Sequence, residues 1–129
     1  MSYYIATTVD HPFETAIEKV TEALSAEGFG VLTEIDVTAT MKKKLDVDFR
    51  NYRILGACNP PFAHKALSAE DKIGTMLPCN VIVQELDSGQ VEVAAVDPLK
   101  SMQAVENESL APIATDVRDR LQRAVDSLG

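Results

Sequence analysis

The chain is short of cysteine, of basic residues and of long apolar runs, and each shortage excludes a class of function. Two cysteines in 129 residues make neither a structural zinc site nor a disulfide framework. Twelve Lys and Arg against twenty Asp and Glu leave a net charge of −8, which repels the phosphates of nucleic acids and anionic lipid headgroups. The one basic run, Lys42-Lys43-Lys44, is followed by Asp46 and Asp48 and reads as a solvated helix face, so no nucleic-acid partner is expected. No apolar run approaches the ~20 residues of a membrane span, and no membrane partner is expected. Met1-Ser2-Tyr3-Tyr4 lacks the basic and apolar segments of a secretion signal. The expected location is cytoplasmic, where Cys58 and Cys79 stay reduced.

What is present suits one globular domain over residues 1–129, because domains cluster at ~100–150 residues. Hydrophobic residues make up 46% and charged residues 25%, as in ordinary folded proteins. There is no internal repeat, low-complexity segment or linker.

Tyr3 to Val9 is rich in aromatic and β-branched residues and reads as a strand. Asp10 offers an N-cap and Pro12 a first helical turn. Phe13, Ile17, Val20 and Leu24 then recur at helical spacing, and Gly28 ends the helix as a left-handed cap. Gly30 to Ile35 is a second strand, and Asp36 caps a short helix with Val37, Met41 and Leu45 on one face. Tyr52 to Cys58 is a third strand, stopped by Asn59-Pro60-Pro61, which opens a helix to about Leu67. Ser68, with Asp71 three residues on, resembles a second cap leading to Met76. Cys79 to Leu86 and Val91 to Val96 form a hairpin around Asp87-Ser88-Gly89-Gln90. After a connector at Met102 to Val105, a helix from about Ser109 to Leu128 carries Leu110, Ile113, Val117, Leu121 and Val125. The expected class is α+β: a curved, mainly antiparallel sheet in β-α-β-β-β-β-α order, two main helices on one face and short helical insertions.

The least generic stretch runs from Gly56 to Asn80. Cys58 ends a strand directly before a helix N-terminus, whose partial positive charge favours a thiolate, although a free cysteine is more often a small buried apolar residue. Pro60 and Pro61 have no N–H to offer an anion, and neither the glycines nor the lysine of a phosphate loop are present. Serines lack the glycines of a nucleophile elbow, so a hydrolase is unsupported. If the strands ending at Cys58 and starting at Cys79 are antiparallel, the helical excursion between them brings the two thiols together. That arrangement permits a redox dithiol with Cys58 and Cys79 as catalytic candidates, or a soft-metal or haem site with Cys58, Cys79 and His64 or Met76 as ligands. The cysteines lack the C-x-x-C spacing that would make either reading specific. His64, on a short helix, and His11, in a first helical turn, also suit structural roles. No cofactor is named by the residues.

Three blocks carry a resemblance: Gly28 to Val37, Tyr52 to Pro61 and Ile73 to Val81, within which stand Gly-Phe-Gly-Val-Leu-Thr-Glu-Ile-Asp-Val, Tyr-Arg-Ile-Leu-Gly-Ala-Cys-Asn-Pro-Pro and Ile-Gly-Thr-Met-Leu-Pro-Cys-Asn-Val. They resemble the bacterial and archaeal family called Domain of Unknown Function 302, over nearly the whole chain. The resemblance implies a fold similar to TATA-binding-protein-like domains and a homodimer. The family has no established activity, so the resemblance implies a shape without a mechanism. Its motif includes Cys58, Asn59, Pro60, Ala63, Leu67, Pro78 and Cys79. The leading functional expectation is therefore a small-molecule binding module. Cys58, Phe62, Met76, Leu77 and Cys79 would form an apolar wall, and Asn59 and Asn80 would supply hydrogen bonds.

Overall fold

The computed structural model describes residues 2–129. Strand β1 (Tyr4–Val9) leads to helix α1 (Phe13–Ala26), then β2 (Gly30–Asp36), α2 (Val37–Leu45), β3 (Tyr52–Cys58) and α3 (Pro60–Ala69). A 3-10 turn at Ile73–Met76 precedes β4 (Cys79–Glu85), β5 (Val91–Val96), α4 (Pro98–Ser101) and α5 (Leu110–Asp126). The strands form one sheet in the order β1-β5-β4-β3-β2, and every neighbouring pair is antiparallel. The α+β class follows directly.

Strand side chains alternate between faces, and the alternation divides the sheet cleanly. Val9, Leu55, Val81, Val83, Val91 and Val93 are buried and pack with Phe13, Val20 and Leu24 of α1 and with Val117, Leu121 and Val125 of α5. Fully burying one such side chain contributes ~1.5–3 kcal/mol, so α1 and α5 are held on this face by their apolar stripes. The other face carries Ile54, Ile82 and Ala94, which stand in register across three strands, with Tyr52 and Tyr4 in neighbouring rows opposite Gln84 and Val96, and Tyr4 there is 45% exposed.

Local chemistry sets most element ends. Gly28 adopts φ +87°, a left-handed conformation that glycine tolerates, and Phe29 N–H donates to Leu24 O at 2.9 Å to close α1. Asp36 caps α2 by accepting from Ala39 N–H at 2.9 Å. Lys42 in its last turn pairs with Asp46 and Asp48, so the lysine run is a solvated face. Two expected caps are absent. Pro12, not Asp10, stands at the N-cap of α1 and makes no side-chain cap bond. Ser68 does not open a new helix: α3 continues through it to Ala69, and its hydroxyl donates to His64 O at 2.8 Å. The carbonyl one turn back outcompeted the N-cap arrangement that the Ser68–Asp71 spacing suggested. The post-hairpin connector also holds a short helix, α4, capped by Asp97, which accepts from Leu99 N–H at 3.0 Å.

One cation braces the far end of the sheet. Arg53 of β3 lies beneath Glu34, Glu14 and Asp36, with its nearest contacts at 2.6 and 2.9 Å. Burial works against its charge, but the hydrogen bond it donates to Glu34 and the surrounding carboxylates prevail and raise its pKa.

Candidate functional site

The C-terminal end of β3 and the N-terminal end of β4 meet because the two strands are antiparallel. Ala57 stands opposite Cys79, so Cys58 falls one residue beyond that pair. The chain between the two ends forms α3 and the 3-10 turn, and these, together with α5, enclose a hollow of about 310 Å³. Small-molecule sites occupy roughly 300–1,000 Å³, so the volume lies at the low end of that range.

The hollow is lined from six directions, one of them α4, which contributes Pro98 with Met102 just beyond it. Phe29 and Leu32 come from β2 and the turn before it, Ala57 and Cys58 from β3, Phe62 and Ala66 from α3, Leu77 to Cys79 from the approach to β4, and Ile113, Ala114 and Val117 from α5. Leu32 reaches it because the register of β2 against β3 shifts between Val31 and Thr33. That bulge leaves Leu32 unpaired and turned outward, 69% exposed at the rim, as the extra residue of a bulge is left out of the ladder. Apart from the two thiols, Asn59 supplies the only polar side chain among the described lining residues, and no charged side chain lines the hollow.

Asn59 is itself buried. Its amide does not cap α3; it donates to Glu27 O at 3.4 Å, tying the start of α3 to the end of α1. A Cβ at Gly28 would come within 3.0 Å of that amide, so the glycine is required both for its backbone conformation and for the close approach. Arg120 of α5 donates to the same Glu27 carbonyl at 3.2 Å, and Arg123 pairs with the Glu27 carboxylate at 3.0 Å. The turn after α1 thus locks α3 and α5 together at one end of the hollow. Above it, the Arg120 guanidinium lies 5.3 Å and the Lys65 ammonium 5.6 Å from the centroid of the Phe62 ring, both within cation–π reach.

Both cysteines are free thiols. Burial, with a smaller contribution from the neighbouring Cys58, pushes the Cys79 thiol up from 9.0 to about 11. A desolvated thiol of that kind is a poor nucleophile near neutral pH, because the thiolate is the reactive form.

The family described as Domain of unknown function DUF302 matches residues 5–128. The chain belongs to the DUF302 family. The crystal structure of an uncharacterized conserved DUF302 protein from Bacillus stearothermophilus superposes with a TM-score of 0.93 and is 28% identical, with 100% of each chain covered. No curated protein matches. The DUF302 fold therefore accounts for the sheet order and both main helices.

Within this DUF302 chain, Cys58, Asn59, Phe62 and Cys79 line one hollow. Met76 and Asn80 do not. Met76 ends the 3-10 turn and is 36% exposed, while its neighbours Gly74 and Leu77 face inward. Asn80 follows Cys79 along a strand, so it projects from the opposite, open face of the sheet, beside Tyr4 and Tyr52. His64 lies on the exposed side of α3, and no group of three or more His, Cys, Asp or Glu that could hold a metal occurs among the described residues. His11 lies beside the β5 turn, far from this hollow. Among the described residues no helix is long and apolar enough to cross a membrane. Leu32, Met102 and Ile113 line the hollow without having been singled out from the sequence. Ile113 was legible as a core stripe position of α5, whereas no local signal marks the bulge that places Leu32 at the rim.

Proposed function

We propose that this DUF302 protein is a homodimeric small-molecule-binding module whose site is the hollow walled by Cys58, Asn59, Phe62 and Cys79. The carrying observation is the composition of the wall: an apolar concavity of ligand size with one buried amide to orient what enters. An ordered water needs two to four polar partners, and this wall offers almost none, so an apolar ligand displaces little that is well bound. The raised pKa of Cys79 suits a wall residue better than a redox nucleophile.

Methyl NMR tests the site. Toluene, as a generic apolar probe, is expected to shift the methyl signals of Leu77, Ile113 and Val117, and Ala63→Leu, which extends a side chain into the hollow, is expected to suppress those shifts. If the three methyls stay unmoved at toluene concentrations near its solubility limit, the hollow is not a ligand site.

Self-association is supported by the open sheet face. An antiparallel sheet with one face in water normally carries polar residues there, yet Tyr4 and Ile35 are 45% and 47% exposed, beside Ile54 and Ile82. A twofold axis would place this same patch on both partners. Sedimentation is expected to give twice the chain mass, falling to one chain mass for Ile82→Glu without loss of helical circular dichroism. A wild-type protein that sediments as a monomer at high concentration removes the dimer.

A further inference from the structure

Charge placement around Phe62 carries the reading one step further. The chain has a large excess of acid, and Lys19, Lys42, Arg53, Lys72, Arg118 and Arg123 each pair with a carboxylate. Arg120 and Lys65 form no ion pair among the described residues, although carboxylates are plentiful. Lys43, Lys44, Arg50 and Lys100 also lack one, but none of them stacks on a wall residue: Lys43 and Lys44 lie on α2, Arg50 ahead of β3, and Lys100 on α4 between the lining residues Pro98 and Met102 without itself lining the hollow. Arg120 and Lys65 are the two unpaired cations that converge on a residue of its wall.

We propose that the hollow takes a small apolar ligand ending in a single carboxylate, with Arg120 and Lys65 holding the head group beside Phe62. This rests on the hollow being a ligand site at all. Arg120 follows Val117, a lining residue, by nearly one turn of α5, and Lys65 follows Phe62 by the same step on α3; both cations lie over the Phe62 ring, 5.3 and 5.6 Å from its centroid, just outside the apolar lining. The Glu27 carbonyl occupies one donor of the Arg120 fork, and the guanidinium carries five. The carboxylate of Glu27, the residue whose carbonyl Arg120 binds, is already engaged by Arg123 at 3.0 Å. Pro60 and Pro61 withhold the N–H groups with which the start of α3 would otherwise bind an anion, so the side-chain cations are the available head-group donors. A single negative charge fits better than a polyphosphate, because a net charge of −8 repels a multiply charged anion.

Octanoate and 1-octanol share a tail and differ in the head, so together they separate this inference from the reading beneath it. Titrations by calorimetry, with the hollow's methyl signals as locators, are expected to show octanoate binding roughly five- to tenfold tighter than octanol, the scale of about one partly exposed ion pair. Lys65→Gln and Arg120→Gln are each expected to reduce that preference, read as the ratio of octanoate to octanol affinity within the same variant, and Arg120→Lys to retain part of it. Lys65 is exposed, so its variant tests the idea even if the loss of the Arg120 bond to Glu27 impairs folding. Equal affinity for the two probes at the hollow, or a preference that survives both glutamine substitutions, overturns the carboxylate assignment and leaves the ligand site standing. Failure of both probes to move the hollow's methyls overturns the assignment and the ligand site together.

Discussion

Cys79 and Gly56 show how much one residue decides near the junction of β3 and β4. The Cys79 thiol keeps its proton in the folded chain until about pH 11, against 9.0 when solvated. Its folded pKa is raised, so the associated stability is intact below pH 9 and is lost as pH climbs toward 11, because only the unfolded chain ionises readily in that window. The stability advantage of wild type over Cys79→Ala is therefore expected to shrink by roughly 3 kcal/mol across it, measured by urea unfolding at a series of pH values. Alkylation by iodoacetamide at neutral pH is expected to be slower at buried Cys79 than at partly buried Cys58, as peptide mass spectrometry of each site would show. Gly56 makes a steric demand instead. A Cβ there would meet the Pro78 ring at 2.7 Å and also the Thr33 side chain, and the proline ring cannot rotate away. Gly56→Ala is expected to cost about 1–3 kcal/mol, read as a shift of the denaturation midpoint. Little change would mean that the β3–β4 junction has slack the structure does not show.

Among the elements, short α4 has more influence than its length suggests. Its first residue, Pro98, is buried and lines the hollow, and its position depends on Asp97, which is 7% exposed, caps Leu99 N–H and lies 3.6 Å from Arg118 of α5. Asp97→Ala is expected to lose about 1–2 kcal/mol, the worth of a helix cap, and to shift the hollow's methyl signals. Asp36→Ala, which removes the corresponding cap of α2, is expected to leave those signals in place, since α2 buries none of its residues. Asp36 was readable as a cap from its place before an amphipathic run. Ser68 was misleading for a physical reason: a serine can serve a helix as an N-cap or by bonding the carbonyl four residues back, and the spacing to Asp71 does not distinguish the two.

For the molecule as a whole, stability lies in the layer between the sheet and the two long helices, while the hollow sits at the edge of that layer. Leu55, fully buried, is expected to cost ~2–5 kcal/mol when cut to alanine. Leu67, 45% exposed at the rim of the hollow, is expected to cost about 0.5 kcal/mol or less. Thermal unfolding of the two variants compares the layers directly. Comparable losses would show that α3 is as much a part of the core as the sheet.

Sequence alone determined the kind and order of the elements, because a period of two, a period near 3.6 and the punctuation of Gly28, Pro60 and Gly89 are local properties. It also marked Cys58, Asn59 and Phe62 as neighbours, since they are nearly consecutive. Tertiary structure decided which side chains share a space. Cys79 and Asn80 adjoin in the chain but part to opposite faces because strand side chains alternate, and Leu32 reaches the hollow only through a register shift against β3. Arg120 and Val117 meet Phe62 only because α5 returns across the sheet. Such meetings depend on pairing and packing between distant segments, and no window of residues contains them.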